Sequence, residues 1–140
     1  MSRIKLSIDD IGLITTFENL TNASVKDCMV DNEKEKITFL VADGQAGSAI
    51  GKGGINIKKL EAKLKKRIEV LEFSKDPLKF VANVLRPIKI QNAYVSEKSD
   101  GTKTLYASVS KERIGMLKSK IRSAKELIKK YFDFDEVIIQ

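Results

Sequence analysis

Apolar positions along the chain run twice through the same change of period. Ile8, Ile11, Ile14, Phe17 and Leu20 recur every three residues, and Ser7 with Asp10 resembles a capping box with Asp in place of Glu. A first amphipathic helix is expected over residues 8–20. Val25 to Val30 and Ile37 to Val41 read as strands around the polar turn Asp31-Asn32-Glu33. Ala46 to Ile50 has room for one or two helical turns before Gly51-Lys52-Gly53-Gly54 interrupts it. Ile57, Leu60, Leu64 and Ile68 then fall at i, i+3, i+7 and i+11, a single stripe on a helix, and Lys58, Lys59, Lys63 and Lys66 point away from it. Ile68 to Phe73 closes the run as a strand. The expected order is α-β-β-α-α-β.

After Ser74-Lys75-Asp76-Pro77 the order repeats. Asp76 can cap a helix and Pro77 suits its first position. Leu78, Val81, Val84 and Leu85 make the helix, and Pro87 ends it by excluding Arg86 from the helical region. Strands are expected at 88–95 and 104–109, joined through Asp100-Gly101. Helices follow from Lys111 to Leu117 and from Lys118 to Tyr131, with a last strand from Glu136 to Ile139. An offset of 64 pairs Ile50 with Ile114, Gly51 with Gly115, Ile57 with Ile121, Lys58 with Arg122, Leu64 with Ile128 and Lys65-Lys66 with Lys129-Lys130. This is an internal repeat. It divides the 140 residues at 1–75 and 76–140. Units this small make marginal cores alone, so a rigidly packed pair is expected.

Charge sharpens the picture. The formal net charge is +7. Residues 52–67 hold seven cations against Glu61, and residues 111–130 hold eight against Glu112 and Glu126, so each block is +6 and the remainder is −5. Two short blocks therefore carry the whole excess, as a polyanion footprint would. A solvated helix face, with cations favoured at a helix C-terminus, is the plainer alternative for either block. With no histidine and one cysteine, an intramolecular disulfide, a Cys/His zinc site and a histidine base are excluded. No metal or cofactor and no catalytic residue is expected. Cys28 reads as a core thiol, Asp9-Asp10 as a helix start, and Asp133, Asp135 and Glu136 as a turn without metal spacing. No apolar run reaches membrane-spanning length and none marks a signal segment, so a cytoplasmic protein is expected.

The stretch Ile50-Gly51-Lys52-Gly53-Gly54-Ile55-Asn56-Ile57 is the most informative. Three glycines in four residues permit a sharp turn with positive φ and remove side chains that would hold a ligand off the backbone. The following helix start presents unpaired N–H groups, a phosphate site to which Lys52 adds a cation. A Walker A loop needs Gly at 46 and Ser or Thr at 53, where the chain has Ala46 and Gly53. A dinucleotide fingerprint needs a strand leading directly into the loop, where a short helix stands. A plain helix–turn–helix connection is the structural alternative. Ile50 and Ile57 are expected in the core, and Asn56 either donates to a ligand or supports the helix start.

This stretch resembles the GxxG signature of KH domains, and the element order resembles their type II fold. Two such units in tandem, with Gly44-Gln45-Ala46-Gly47-Ser48-Ala49 ahead of the first loop, resemble the RNA-binding core of NusA-type transcription factors, especially the short archaeal ones. The resemblance implies an α+β fold of two tandem type II KH domains, each with a three-stranded sheet and helices on one face. It implies single-stranded RNA along the GxxG loop, about four nucleotides in an apolar groove. Transcription termination or antitermination is the implied role, with RNA polymerase or other transcription factors as further partners. With residues 1–7 ahead of the first unit in this sequence, the polymerase-binding domain of bacterial relatives is not expected there. The RNA-binding residues it points to are Ile50, Gly51, Lys52, Gly53, Gly54, Asn56, Lys58 and Lys59, with Gly115, Lys118, Lys120 and Arg122 in the second unit. There the loop reads Gly115-Met116-Leu117-Lys118, with Lys118 at a position expected to demand positive φ. That unit could be a support, a weaker phosphate contact through Lys118, Lys120 and Arg122, or a protein contact through Met116-Leu117. Ribosome assembly, a nucleotide hydrolase and a protein scaffold are the rival readings.

Overall fold

A near-continuous apolar run, Lys36-Ile-Thr-Phe-Leu-Val41, becomes the middle strand of the first sheet, because a strand paired on both sides is buried along most of its length. The computed structural model describes residues 8–112 and 114–140, and it divides between Phe73 and Ser74 into two compact units. Ser7, read above as a helix cap, lies outside the described residues.

The first unit runs α1 (Ile8–Thr21), β1 (Val25–Asp31), β2 (Lys36–Val41), α2 (Ala46–Ile50), a single 3₁₀ turn (Lys52–Gly54), α3 (Ile55–Leu64) and β3 (Arg67–Glu72). β2 pairs antiparallel with β1 and parallel with β3. Phe17 of α1 stacks on Phe39 of β2 with ring centroids 4.2 Å apart, and both rings are fully buried. Cys28, Ile37, Val41, Ala49 and Leu60 complete the buried cluster. Leu13, Ile14 and Leu20 pack against it, while Ile11 is 56% exposed. The three-residue spacing explains this. Each step of three falls about 60° short of a full turn, which leaves Ile11 about 120° from Phe17, whereas Leu13 sits within about 40° of it. Ile68, the last member of the α3 stripe, belongs to β3 instead and still reaches the same core.

The second unit runs α4 (Pro77–Leu85), β4 (Ile90–Glu97), β5 (Lys103–Val109), α5 (Ile114–Tyr131) and β6 (Glu136–Ile139). Its middle strand β5 is antiparallel to β4 and parallel to β6, the topology of the first sheet. Phe80, Leu105, Leu127 and Ile128 are its largest fully buried side chains beside Leu85. The Asp76 carboxylate accepts the Leu78 N–H at 3.0 Å and Pro77 opens the helix, as its sequence indicates. Arg86 leaves the helical region before a cis peptide bond to Pro87. Ile88 N–H closes a turn on Leu85 O, so the strand starts at Ile90 rather than 88. In the β4–β5 hairpin, hydrogen bonds from the Thr102 backbone and side chain hold the Asp100 carboxyl below its usual value. Asp135 ties β5 to β6, accepting the Lys103 N–H at 2.8 Å. Tyr94 and Tyr106, directly paired across β4 and β5, stack at 4.9 Å, with Tyr94 49% exposed.

One element differs from expectation. The two helices read at Lys111–Leu117 and Lys118–Tyr131 are one helix, α5. A break of the kind made by Gly51-Lys52-Gly53-Gly54 needs several residues at positive φ. Here only Gly115 is available, and Met, Leu and Lys are strong helix formers. Lys118 is accordingly an ordinary helical residue. Among the described residues, the non-glycine positions with positive φ are Asn22, Glu35 and Lys65.

Two substitutions test these local determinants in opposite directions. Asp76→Ala removes a helix cap and is expected to cost about 1 kcal/mol. Lys65 ends α3 in the left-handed conformation, φ 57°, so Lys65→Gly is expected to add roughly 0.5–1 kcal/mol. Urea unfolding followed by circular dichroism reads both.

Candidate nucleic-acid interface

The glycine loop is built from the base of α2 upward. Gln45 Oε1 accepts the Ser24 N–H at 2.6 Å, and Glu72 Oε1 accepts the Ala46 N–H at 2.9 Å. These two side chains fix the start of α2 to the β1 entry and to the end of β3. The helix then lasts five residues, to Ile50. Gly51 takes φ 79°, ψ 166°, a region open essentially to glycine alone. Gly53 (φ 65°, ψ 18°) and Gly54 (φ 74°, ψ 20°) are left-handed.

Each glycine has a different reason to be there. A Cβ on Gly51 would lie 2.9 Å from Cγ and Nδ2 of Asn56 and 3.1 Å from Ile55 Cγ2. Asn56 cannot simply swing aside, because its Nδ2 donates to Ser48 O at 3.0 Å and so bridges α3 back to α2. At Gly53 and Gly54 a Cβ would meet nothing within 4 Å. Their requirement is the backbone conformation, and the space beside them is open for a ligand.

α3 starts at Gly54 with no side-chain cap. The N–H groups of Gly54 and Ile55 close the 3₁₀ turn on Gly51 O and Lys52 O, and the positive end of the α3 dipole beyond them is left to solvent or a ligand. Lys52, Lys58, Lys59 and Lys63 are exposed around this start and along α3. Ile50 is 38% and Ile55 48% exposed, while Ile57 is half-buried. Ile50 is therefore not a core residue as expected. The short α2 ends there, and its buried contact is made by Ala49, one position earlier. The apolar surface beside the loop comes from Ile50 and Ile55. The arrangement can take an anionic oxygen at the backbone while offering apolar side chains to a flat, less polar group.

The structure brings Ile50, Gly51, Lys52, Gly53, Gly54, Asn56, Lys58 and Lys59 together on one loop and helix start. Asn56 acts there as an internal strut through Nδ2. Gln45 and Glu72 were not found from sequence. Glu72 bonds 26 residues away, and nothing local marks it.

In the second unit, Gly115, Lys118 and Arg122 share a face of α5 at i, i+3 and i+7, and all three are exposed. Lys129 continues that stripe. Lys120 does not join them. It lies about 200° around the helix from Lys118, is half-buried and has its own interaction. The loop expected at 115–118 is the first turn of a helix, so no glycine clamp forms there.

Gly51→Ala is expected to cost about 2–4 kcal/mol, since it combines forbidden φ/ψ with loss of the Asn56 bridge. Gly53→Ala, in open space, is expected to cost about 1 kcal/mol. Removing Asn56 in the Gly51→Ala background should add little, a non-additivity that a double-mutant cycle of unfolding free energies detects.

Comparisons with known proteins bear on this geometry. The KH domain family matches residues 14–98. The chain is 42% identical over 95 residues to a "Probable transcription termination protein NusA" of Methanococcus vannielii, covering 68% of this chain and 54% of that protein. A protein of the same name from Methanocaldococcus jannaschii is 36% identical over 95 residues, 51% of its length. The matched stretch thus spans about half the length of these two relatives. The Halobacterium salinarum protein of that name is 36% identical over 138 residues, 96% of each chain. The crystal structure of APE1850 is similar with a TM-score of 0.74 and 32% identity, covering 96% of this chain and 100% of that one.

Proposed function

The chain belongs to the KH-domain family, with archaeal NusA-like proteins among its relatives, and on that premise we propose that it binds single-stranded RNA through the Gly51–Gly54 loop. The observation that carries this is the pairing of an uncapped α3 start with three glycines at positive φ and an open approach at Gly53 and Gly54. A phosphodiester carries its charge on oxygens that backbone N–H groups and lysines can meet without reading sequence. Lys52, Lys58 and Lys59 hold the sugar–phosphate backbone. Ile50 and Ile55 line the apolar side against which the bases lie. Asn56, besides bracing the loop, retains an amide oxygen and a second N–H for a base edge.

In the second unit Lys118 and Arg122 add charge to an exposed helix face, and Gly115 opens it. Their contribution is electrostatic and secondary, because the backbone there is committed to helix. The protein is a binding factor with no catalytic residue of its own. Its role in transcription is NusA-like. Termination is inferred from the name its relatives carry, and antitermination and contact with RNA polymerase or other transcription factors are proposed from the family resemblance. A cytoplasmic setting goes with that role, and no helix among the described residues is long and apolar enough to cross a membrane.

Short single-stranded RNA titrated across a salt series tests the reading. Contact with Z phosphates gives a log–log slope of about −0.7Z. Gly53→Asp places a carboxylate in the open phosphate approach without a clash and should weaken binding by at least about tenfold, the equivalent of roughly 1.4 kcal/mol. Leu117→Asp should change affinity much less. Equal losses from the two would remove the asymmetry between the units on which the reading depends.

A further inference from the structure

We infer that the RNA footprint of the first unit does not end at the glycine loop but continues along α3 to a second phosphate-binding cleft at its far end. This deepens the RNA-binding reading and rests on it. Lys34, Glu35, Glu61, Lys65, Lys66 and Arg67 line an open cleft of about 400 Å³. Three separate elements supply it. Lys34 and Glu35 come from the β1–β2 turn, Glu61 from the last turns of α3, and Lys65, Lys66 and Arg67 from the link after α3 and the first residue of β3. The link is held to the turn by the Arg67 N–H, which donates to Glu35 O at 2.9 Å.

Four cations face two carboxylates in this cleft, and both carboxylates are already engaged. Glu61 Oε2 accepts the Ile68 N–H at 3.2 Å, and Glu35 pairs with Lys66 at 3.7 Å. Lys65 and Arg67 are exposed beside them. The C-terminal dipole of α3 accounts for cations on its own last turn. It does not account for Lys34 and Arg67, which arrive from the hairpin and from β3. Lys65 is held in the left-handed conformation at φ 57°, which turns the chain sharply off the helix axis into Lys66 and Arg67.

The cleft and the glycine loop stand at opposite ends of a ten-residue helix, about 15 Å apart at the α-helical rise. Lys58, Lys59 and Lys63 are exposed along the helix between them. A row of cations between two anion sites suits a flexible polyanion running past both, and a single RNA strand has that form.

The test separates the two ends by RNA length. The double variant Lys65→Asn with Arg67→Gln removes two charges. Asn tolerates the left-handed position, and both side chains are exposed, so the fold should survive. A circular-dichroism melt checks this. Native and variant chains are titrated with unstructured single-stranded RNA of about four nucleotides, the length a GxxG loop clamps, and of about twelve. Binding of the four-mer should be unchanged within about twofold. Affinity for the twelve-mer should fall on the order of tenfold at low salt, with a log–log slope shallower by about 1.4, the loss of two phosphate contacts. A control variant, Lys75→Gln with Lys79→Gln, removes the same charge elsewhere and should leave both oligonucleotides alone. Equal effects on both lengths, no effect on the twelve-mer, or an equal effect of the control would overturn the second cleft while leaving the loop reading in place. Failure of the native chain to bind either RNA would overturn both.

Discussion

Two parallel strands cannot be joined by a tight hairpin, and the first unit is organised around that constraint. β2 and β3 run side by side in the same direction, so the chain leaving Val41 must cross the sheet and return to the same end before pairing again. The crossover must also cover the apolar face carried by Ile37, Phe39 and Val41. α2 and α3 do both, burying Ala49 and Leu60 against that face. In this unit the crossing changes direction sharply between the short α2 and α3. Gly51, Gly53 and Gly54 supply that change, and the helix that follows begins without a side-chain cap.

The second unit meets the same constraint differently. β5 and β6 are also parallel, and the crossing is made by the single helix α5, eighteen residues long. Helix formers at Met116, Leu117 and Lys118 carry it through the point where the first unit turns. Ala124, Leu127 and Ile128 face its core, and Lys118 and Arg122 face solvent. Equivalent topology thus yields a glycine loop ahead of an uncapped helix in one unit and a charged helix face in the other. The difference lies in two glycines.

Electrostatics follows from the same construction. Lys58, Lys59 and Lys63 stand exposed on α3 because the opposite face of that helix, with Leu60, is in the core. The carboxylates nearest to it are drawn into structure: Glu72 onto the Ala46 N–H, Glu61 onto the Ile68 N–H and Glu35 onto Lys66. The seven cations of residues 52–67 outnumber these carboxylates, so the net field that an approaching anion meets is positive.

Element types, their order in the first unit, the cap at Asp76 and the glycine loop were legible in the sequence because each depends on residues within a few positions of one another. Periodicity follows from backbone geometry, and positive φ follows from the absence of a Cβ. Ile11 and Ile50 show where that reasoning ends: apolar residues at plausible spacing face outward when a neighbour, Leu13 or Ala49, already fills the core. The single helix α5 was decided by how propensity and the lack of further glycines combine over a whole crossing. Gln45 and Glu72 as anchors of α2, Asn56 as the strut of the loop and the cleft behind α3 required the tertiary structure. Each joins residues that the chain separates and the sheet brings together, and the free energy of such contacts resides in a proximity that no local pattern records.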